Sequence, residues 1–149
     1  MAAQREPAGG RAGANLKVST YFWIAVGGAF GSVARYGASS LIAAWVGETF
    51  PWGTLIVNVT GSFVIGLFAA VTGPDGRILV APVVRQFVMV GICGGYTTFS
   101  SFSLQTLNLF REGQFLAAGA NILLSVSLCL IAVWLGYVAG GALSAARAS

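Results

Sequence analysis

The 149-residue chain contains no histidine. That excludes imidazole bases, His-ligated metals and a Ser-His-Asp triad. Charge is nearly as scarce, at 8% of residues against about a quarter in soluble domains. Hydrophobic residues make up 56%, more than one domain of this length could hide from water, so the composition is that of a membrane protein. The four acids, Glu6, Glu48, Asp75 and Glu112, all lie outside the long apolar runs. Proton-coupled transport normally needs an ionisable group within the membrane. Arg35 is the one charge deep inside an apolar run, with Arg85 at the start of the third. A carboxylate-driven pump or antiporter is therefore disfavoured, and no set of residues suggests an enzyme. Cys93 and Cys129 lack metal-ligand spacing and read as free thiols within apolar runs.

What remains is apolar sequence with punctuation. Residues 1–17 form a polar tail carrying Arg5, Arg11 and Lys17, expected to be disordered and cytoplasmic rather than a nucleic-acid-binding arm. Four apolar runs follow, at about 18–45, 52–71, 83–109 and 115–143, each long enough for the roughly 20 helical residues that cross a bilayer. The first is too long for a signal-peptide core and reads as a retained helix. Aromatic residues sit where interfaces should fall, at Tyr21, Trp23, Trp45, Trp52, Trp134 and Tyr137. The connections are short, so neighbouring helices should run antiparallel. The expected division is a tail at 1–17, an all-α four-helix membrane domain at 18–143 and a short tail at 144–149.

The third run carries an anomaly, 91-GICGGYTTFSSFS-103. Gly94-Gly95 followed by Thr97-Thr98 stacks weak helix formers, so the helix should break there. A break frees backbone groups at a cost of several kcal/mol each in hydrocarbon, and such breaks persist where the groups meet an ion, water or protein. With no acid nearby, a cation there would be held by carbonyl oxygens. Phe99 and Phe102 share a helical face; they either pack in the core or turn electropositive ring edges to an anion.

Thr97, Ser101 and Gln105 form a polar stripe at helical spacing. Thr54, Asn58 and Ser62 form another in the second run, and Asn121, Ser125 and Cys129 a third in the fourth. Helix–helix glue would explain any one of them. Together they suit a narrow hydrated path, in which neutral donors replace water around a small anion without trapping it. Arg35 either biases a vestibule toward anions or ties a helix to a carbonyl.

These motifs resemble those of the small fluoride channels of the Fluc/CrcB type. The resemblance covers about residues 21–143 through GGAFGSVARYG, GTLIVNVTGSF and GICGGYTTFSSFS, and more loosely NILLS. It implies an antiparallel, dual-topology homodimer in the bacterial inner membrane, with membrane lipid and fluoride as its other partners. The third helix would break near mid-membrane, and two pores would run along the subunit interface. A structural Na⁺ at the dimer centre would be held by the carbonyls of Gly94 and Thr97. The fluoride path is expected along Asn58, Phe99, Phe102, Thr98, Ser101, Ser125 and Asn121. Some relatives carry glutamate where Gln105 stands and tyrosine where Asn121 stands, so pore electrostatics should differ there. A four-helix dual-topology multidrug exporter is the main rival, disfavoured by the missing membrane carboxylate; a packing scaffold would have little use for three polar stripes. The Lys/Arg distribution, six residues on the side of the termini and the second loop against Arg111 on the other, favours insertion with both termini in the cytoplasm. An antiparallel dimer would then need a population of inverted copies or an oppositely oriented paralogue.

Overall fold

The computed structural model describes residues 8–74, 76 and 78–146, with side chains from residue 18 onward. It is all-helical among those residues. Helix α1 (Ala8–Val46) is followed by α2 (Trp52–Val71). The third span is segmented into α3 (Pro82–Gln86), a π-helical stretch (Phe87–Cys93), α4 (Gly94–Tyr96) and α5 (Phe99–Arg111); α6 (Phe115–Ala146) closes the chain. Helix α1 begins ten residues before its apolar run, inside the stretch expected as a tail. Ala8, Ala12 and Ala14 are strong helix formers, and extending an existing helix carries no nucleation cost. Residues 1–7 and 147–149 lie outside the described residues.

Among the described residues three stretches are long and apolar enough to cross a membrane: Trp52–Val71, Pro82–Arg111 and Phe115–Ala146. The chain is thus a multi-pass membrane protein. Helix α1 is longer, but Gly27, Gly28, Gly31, Ser32, Arg35, Ser39 and Ser40 dilute its hydropathy below that of the other three.

Helix α2 packs most extensively on α6, and α1 lies along the π-helical stretch and α4. Both contacts depend on missing side chains. A Cβ at Gly91 would stand 3.0 Å from the Cα of Gly27, and one at Gly136 would collide with the carbonyl of Phe63. Backbones therefore touch, as is common where small residues line membrane helix contacts.

The turns follow local rules. Helix α5 ends in a Schellman motif: Gly113 has φ 76°, its N–H reaches Phe110 O at 3.1 Å, and Gln114 N–H reaches Leu109 O at 2.9 Å. Helix α2 ends at Thr72, whose carbonyl accepts from Arg85 Nη1 at 3.1 Å, placing a cation at the negative end of the helix.

Candidate functional site: a broken helix beside a neutral groove

The break falls at Thr97 and Thr98, close to the middle of Pro82–Arg111. Thr97 (φ −80°, ψ 156°) and Thr98 (φ −151°, ψ 111°) are both extended. Gly94 keeps helical angles (φ −66°, ψ −35°), so within the stretch expected to break it is the threonines that leave the helix. Gly95 serves packing instead: a Cβ there would lie 2.6 Å from Gly28 O. The Thr97–Ser101–Gln105 stripe is corrected. Thr97 stands outside α5, and its hydroxyl turns back to Cys93 O at 2.9 Å.

Asn58 holds the break from α2. Its Nδ2 donates to Thr98 O at 3.0 Å, and its Oδ1 accepts from Thr98 N–H at 2.7 Å. Thr98 then caps α5, its Oγ1 accepting from Ser101 N–H at 3.2 Å, the usual task of an N-cap threonine. The same oxygen donates to Ser101 Oγ at 3.1 Å. In an unbroken helix Thr98 N–H would serve Gly94 O, and Ser101 N–H would serve Thr97 O. Both protons go elsewhere. The carbonyls of Gly94 and Thr97 are thereby released from their helical partners.

That donor set fits a small hard cation, which prefers neutral or anionic oxygen ligands. Among the described residues no group of three His, Cys, Asp or Glu could serve as an alternative metal site.

A groove of about 370 Å³ opens along the break, lined by Asn58, Ser62, Thr98, Phe99, Phe102 and Ser125 among others. No lining residue is charged, and Cys93 and Cys129 also border it. The rings of Phe99 and Phe102 lie 5.2 Å apart at 49°. Phe102 is 8% exposed and anchored in the chain, whereas Phe99 is 77% exposed. A second cavity of about 540 Å³ lies toward the α1–α2 loop, with Thr54, Gln105, Asn108, Glu48 and Glu112 in its wall. Thr54 and Asn58 are one turn apart on α2, as are Phe102 and Gln105 on α5. Both helices therefore run from one cavity into the other.

Most expected residues converge on this line, but three do not border the groove. Ser101 is engaged in capping. Asn121 is 1% exposed and donates from Nδ2 to Thr106 Oγ1 at 2.8 Å, behind the wall. Arg35 is half-buried on α1, next to Tyr36 of the larger cavity. Thr106, which sequence reasoning missed, is recognisable only once α5 and α6 are placed side by side. The orphaned Oε1 of Gln105, buried without a hydrogen-bond partner, is likewise a tertiary effect.

Known proteins resemble this chain. A protein from Rhodospirillum rubrum is 63% identical over 119 residues, covering 80% of this chain and 92% of its own length. One from Opitutus terrae is 58% identical over 132 residues, covering 89% and 100%, and one from Methylocella silvestris is 54% identical over 124 residues, covering 83% and 95%. All three are named fluoride-specific ion channel FluC. Residues 22–137, which include both wall helices and the break, match the family described as CrcB-like protein, Camphor Resistance (CrcB), and the chain belongs to that family.

Proposed function

We propose that the chain is a passive fluoride channel, the activity carried in its relatives' name. The observation that supports this most directly is a groove whose polar groups are all neutral, set against a broken helix and continued by α2 and α5 into a second cavity. Fluoride is small and strongly hydrated, so the path must replace its water with donors. Asn58 uses one of its two N–H groups on Thr98 O, leaving the other for an ion. Ser62 adds a hydroxyl, and Phe99 and Phe102 add ring edges of positive partial charge. No charged side chain lines the groove, so the ion is held there weakly enough to leave. Neutral HF entering a cell from acidic surroundings dissociates to trapped F⁻, and a pore lets the membrane potential expel it.

We further propose an antiparallel homodimer in the bacterial inner membrane, with two pores. The exposed ring of Phe99 supports it, since a second copy would cover this side of the groove. Gly94 and Thr97 carbonyls from both copies would hold a structural Na⁺, which would supply fixed positive charge at the crossing of the two breaks.

The test is efflux from liposomes loaded with fluoride or chloride. Electrogenic fluoride efflux, with little chloride movement and no need for a sodium gradient, is expected. Strict dependence on a sodium gradient would make it a coupled transporter. Drug-driven proton exchange without fluoride efflux would favour the exporter reading.

A further inference from the structure

Behind the groove, α5 and α6 are joined by a relay whose hydrogen-bond direction is fixed from one end. The carbonyl of Phe102 can only accept. Thr106 Oγ1 lies 2.8 Å from it and spends its single proton there. Asn121 stands 2.8 Å from that same oxygen and must therefore present its NH₂ group, since two acceptors facing each other would repel. This turns Asn121 Oδ1 toward Ser125, whose Oγ is 3.3 Å away and must give the proton. Asn121 is 1% exposed, so solvent does not compete for these positions. The backbone of α5 thus dictates the state of a hydroxyl on α6.

Ser125 lines the groove, but in this arrangement it offers the groove its lone pairs, the wrong sign for an anion. We propose that Asn121 is a positioning residue that competes with the passing anion for the Ser125 proton, and so sets how tightly α6 holds it. The inference rests on the reading of the groove as a fluoride path. At 3.3 Å the Ser125–Asn121 bond is long. An arriving fluoride can take the proton by rotation about one C–O bond, and Asn121 recovers it when the ion leaves. No covalent bond changes and no proton is transferred between oxygens. Weakened binding at this position favours release, which a conducting path requires.

The experiment measures initial fluoride flux against fluoride concentration for the full chain in liposomes. Leu keeps the γ-branched outline of Asn, with two methyls in place of the amide oxygen and nitrogen and so no acceptor, and Asn121→Leu frees the Ser125 hydroxyl. It should lower the half-saturating concentration about threefold to tenfold, the range expected for one neutral hydrogen bond. Ser125→Ala should raise that concentration, and adding Asn121→Leu to it should shift nothing further. An equal shift in both backgrounds, or none in the wild-type background, overturns the proposal and leaves Asn121 a packing residue. Should Asn121→Leu fail to yield a dimer, Thr106→Val provides the second test. It removes the acceptor that orients the amide and should shift half-saturation the same way; no shift overturns the proposal. Wild-type vesicles that carry no fluoride defeat the channel reading and this inference together. Conducting wild type with an unshifted Asn121→Leu defeats only the inference.

Discussion

Asn58 on α2 and Thr98 at the break of the third span, 40 residues apart, exchange two hydrogen bonds through a side-chain amide and a backbone amide. The side chain imitates a strand neighbour: it accepts from Thr98 N–H, which no helix satisfies, and donates to the carbonyl of the same residue. In the proposed channel, structural and conducting roles would thus fall on one residue. One N–H and the carbonyl oxygen brace the chain, and the second N–H remains for the ion.

Asn58→Ala should therefore do two things. Leaving Thr98 N–H without its partner should cost about 1–3 kcal/mol of stability, read as a fall in the detergent unfolding midpoint. Fluoride flux should fall at least about tenfold, because the remaining donor is lost as well. Asn58→Asp keeps the acceptor for Thr98 N–H but places a carboxylate on an anion path, and should abolish flux. A stable, normally conducting Asn58→Ala protein would refute both roles.

The two phenylalanines should separate conduction from stability. Phe102 is buried and Phe99 is exposed in the single chain. Phe102→Ile should cost about 1 kcal/mol of stability through imperfect repacking, while Phe99→Ile should leave the unfolding midpoint within about 0.5 kcal/mol. Both should reduce flux, since isoleucine keeps apolarity and loses the electropositive ring edge. Unchanged flux in both variants would return the rings to a packing role.

The helices were legible from apolar runs bounded by Pro51, Pro82 and Gly113, and α2 occupies the interval its run defines. The break was legible from the pile-up of weak helix formers, though which of them would leave the helix was not. Glycine and threonine both disfavour helix, and what selects Thr97–Thr98 is Asn58 reaching across from α2. The π-helical stretch was not anticipated from the sequence; it lies where the backbone of Gly27 on α1 comes close to Phe87 O and Gly91. Asn121 had the spacing of a pore residue but faces Thr106. A stripe identifies a polar face and not which neighbour that face meets.

Close contact between α2 and α6 predicts a contrast between glycines. Gly136→Ala would drive a Cβ into the Phe63 carbonyl, and relieving that overlap by backbone shifts should cost about 1–3 kcal/mol. Gly119, also on α6, has nothing within 4 Å of its Cβ position. Gly119→Ala should be neutral or stabilising by up to about 1 kcal/mol, since alanine is the better helix former. Detergent unfolding of the two variants beside wild type checks this, and equal effects would count against the close α2–α6 contact.

Orientation in the membrane sets charge distribution against the proposed assembly. Helices α1 and α2 joined by a short loop put the start of α1 and the 72–81 loop at one end. In the sequence, the tails and the second loop hold Arg5, Arg11, Lys17, Arg77, Arg85 and Arg147, and the first and third loops only Arg111. Arg85 is held there by its bond to Thr72 O. Lys and Arg are retained in the cytoplasm, so most copies should insert with both termini inside. Discounting Arg5 and Arg11 as remote from the apolar run reduces the bias without reversing it. An antiparallel homodimer then draws on a minority of inverted copies, and shifting the balance should change its yield. Glu48→Lys, which adds a cation at the Arg111 end, should raise the inverted fraction and the yield of conducting dimer. Arg85→Gln should act in the same direction while weakening the α2 terminus. The measurement is labelling of an added terminal cysteine by an impermeant maleimide from either side of intact vesicles, with fluoride flux from the same preparation. Labelling from both sides together with flux from this chain alone supports the homodimer. A uniformly oriented, inactive product that conducts only beside an oppositely oriented relative would replace it with a paired assembly.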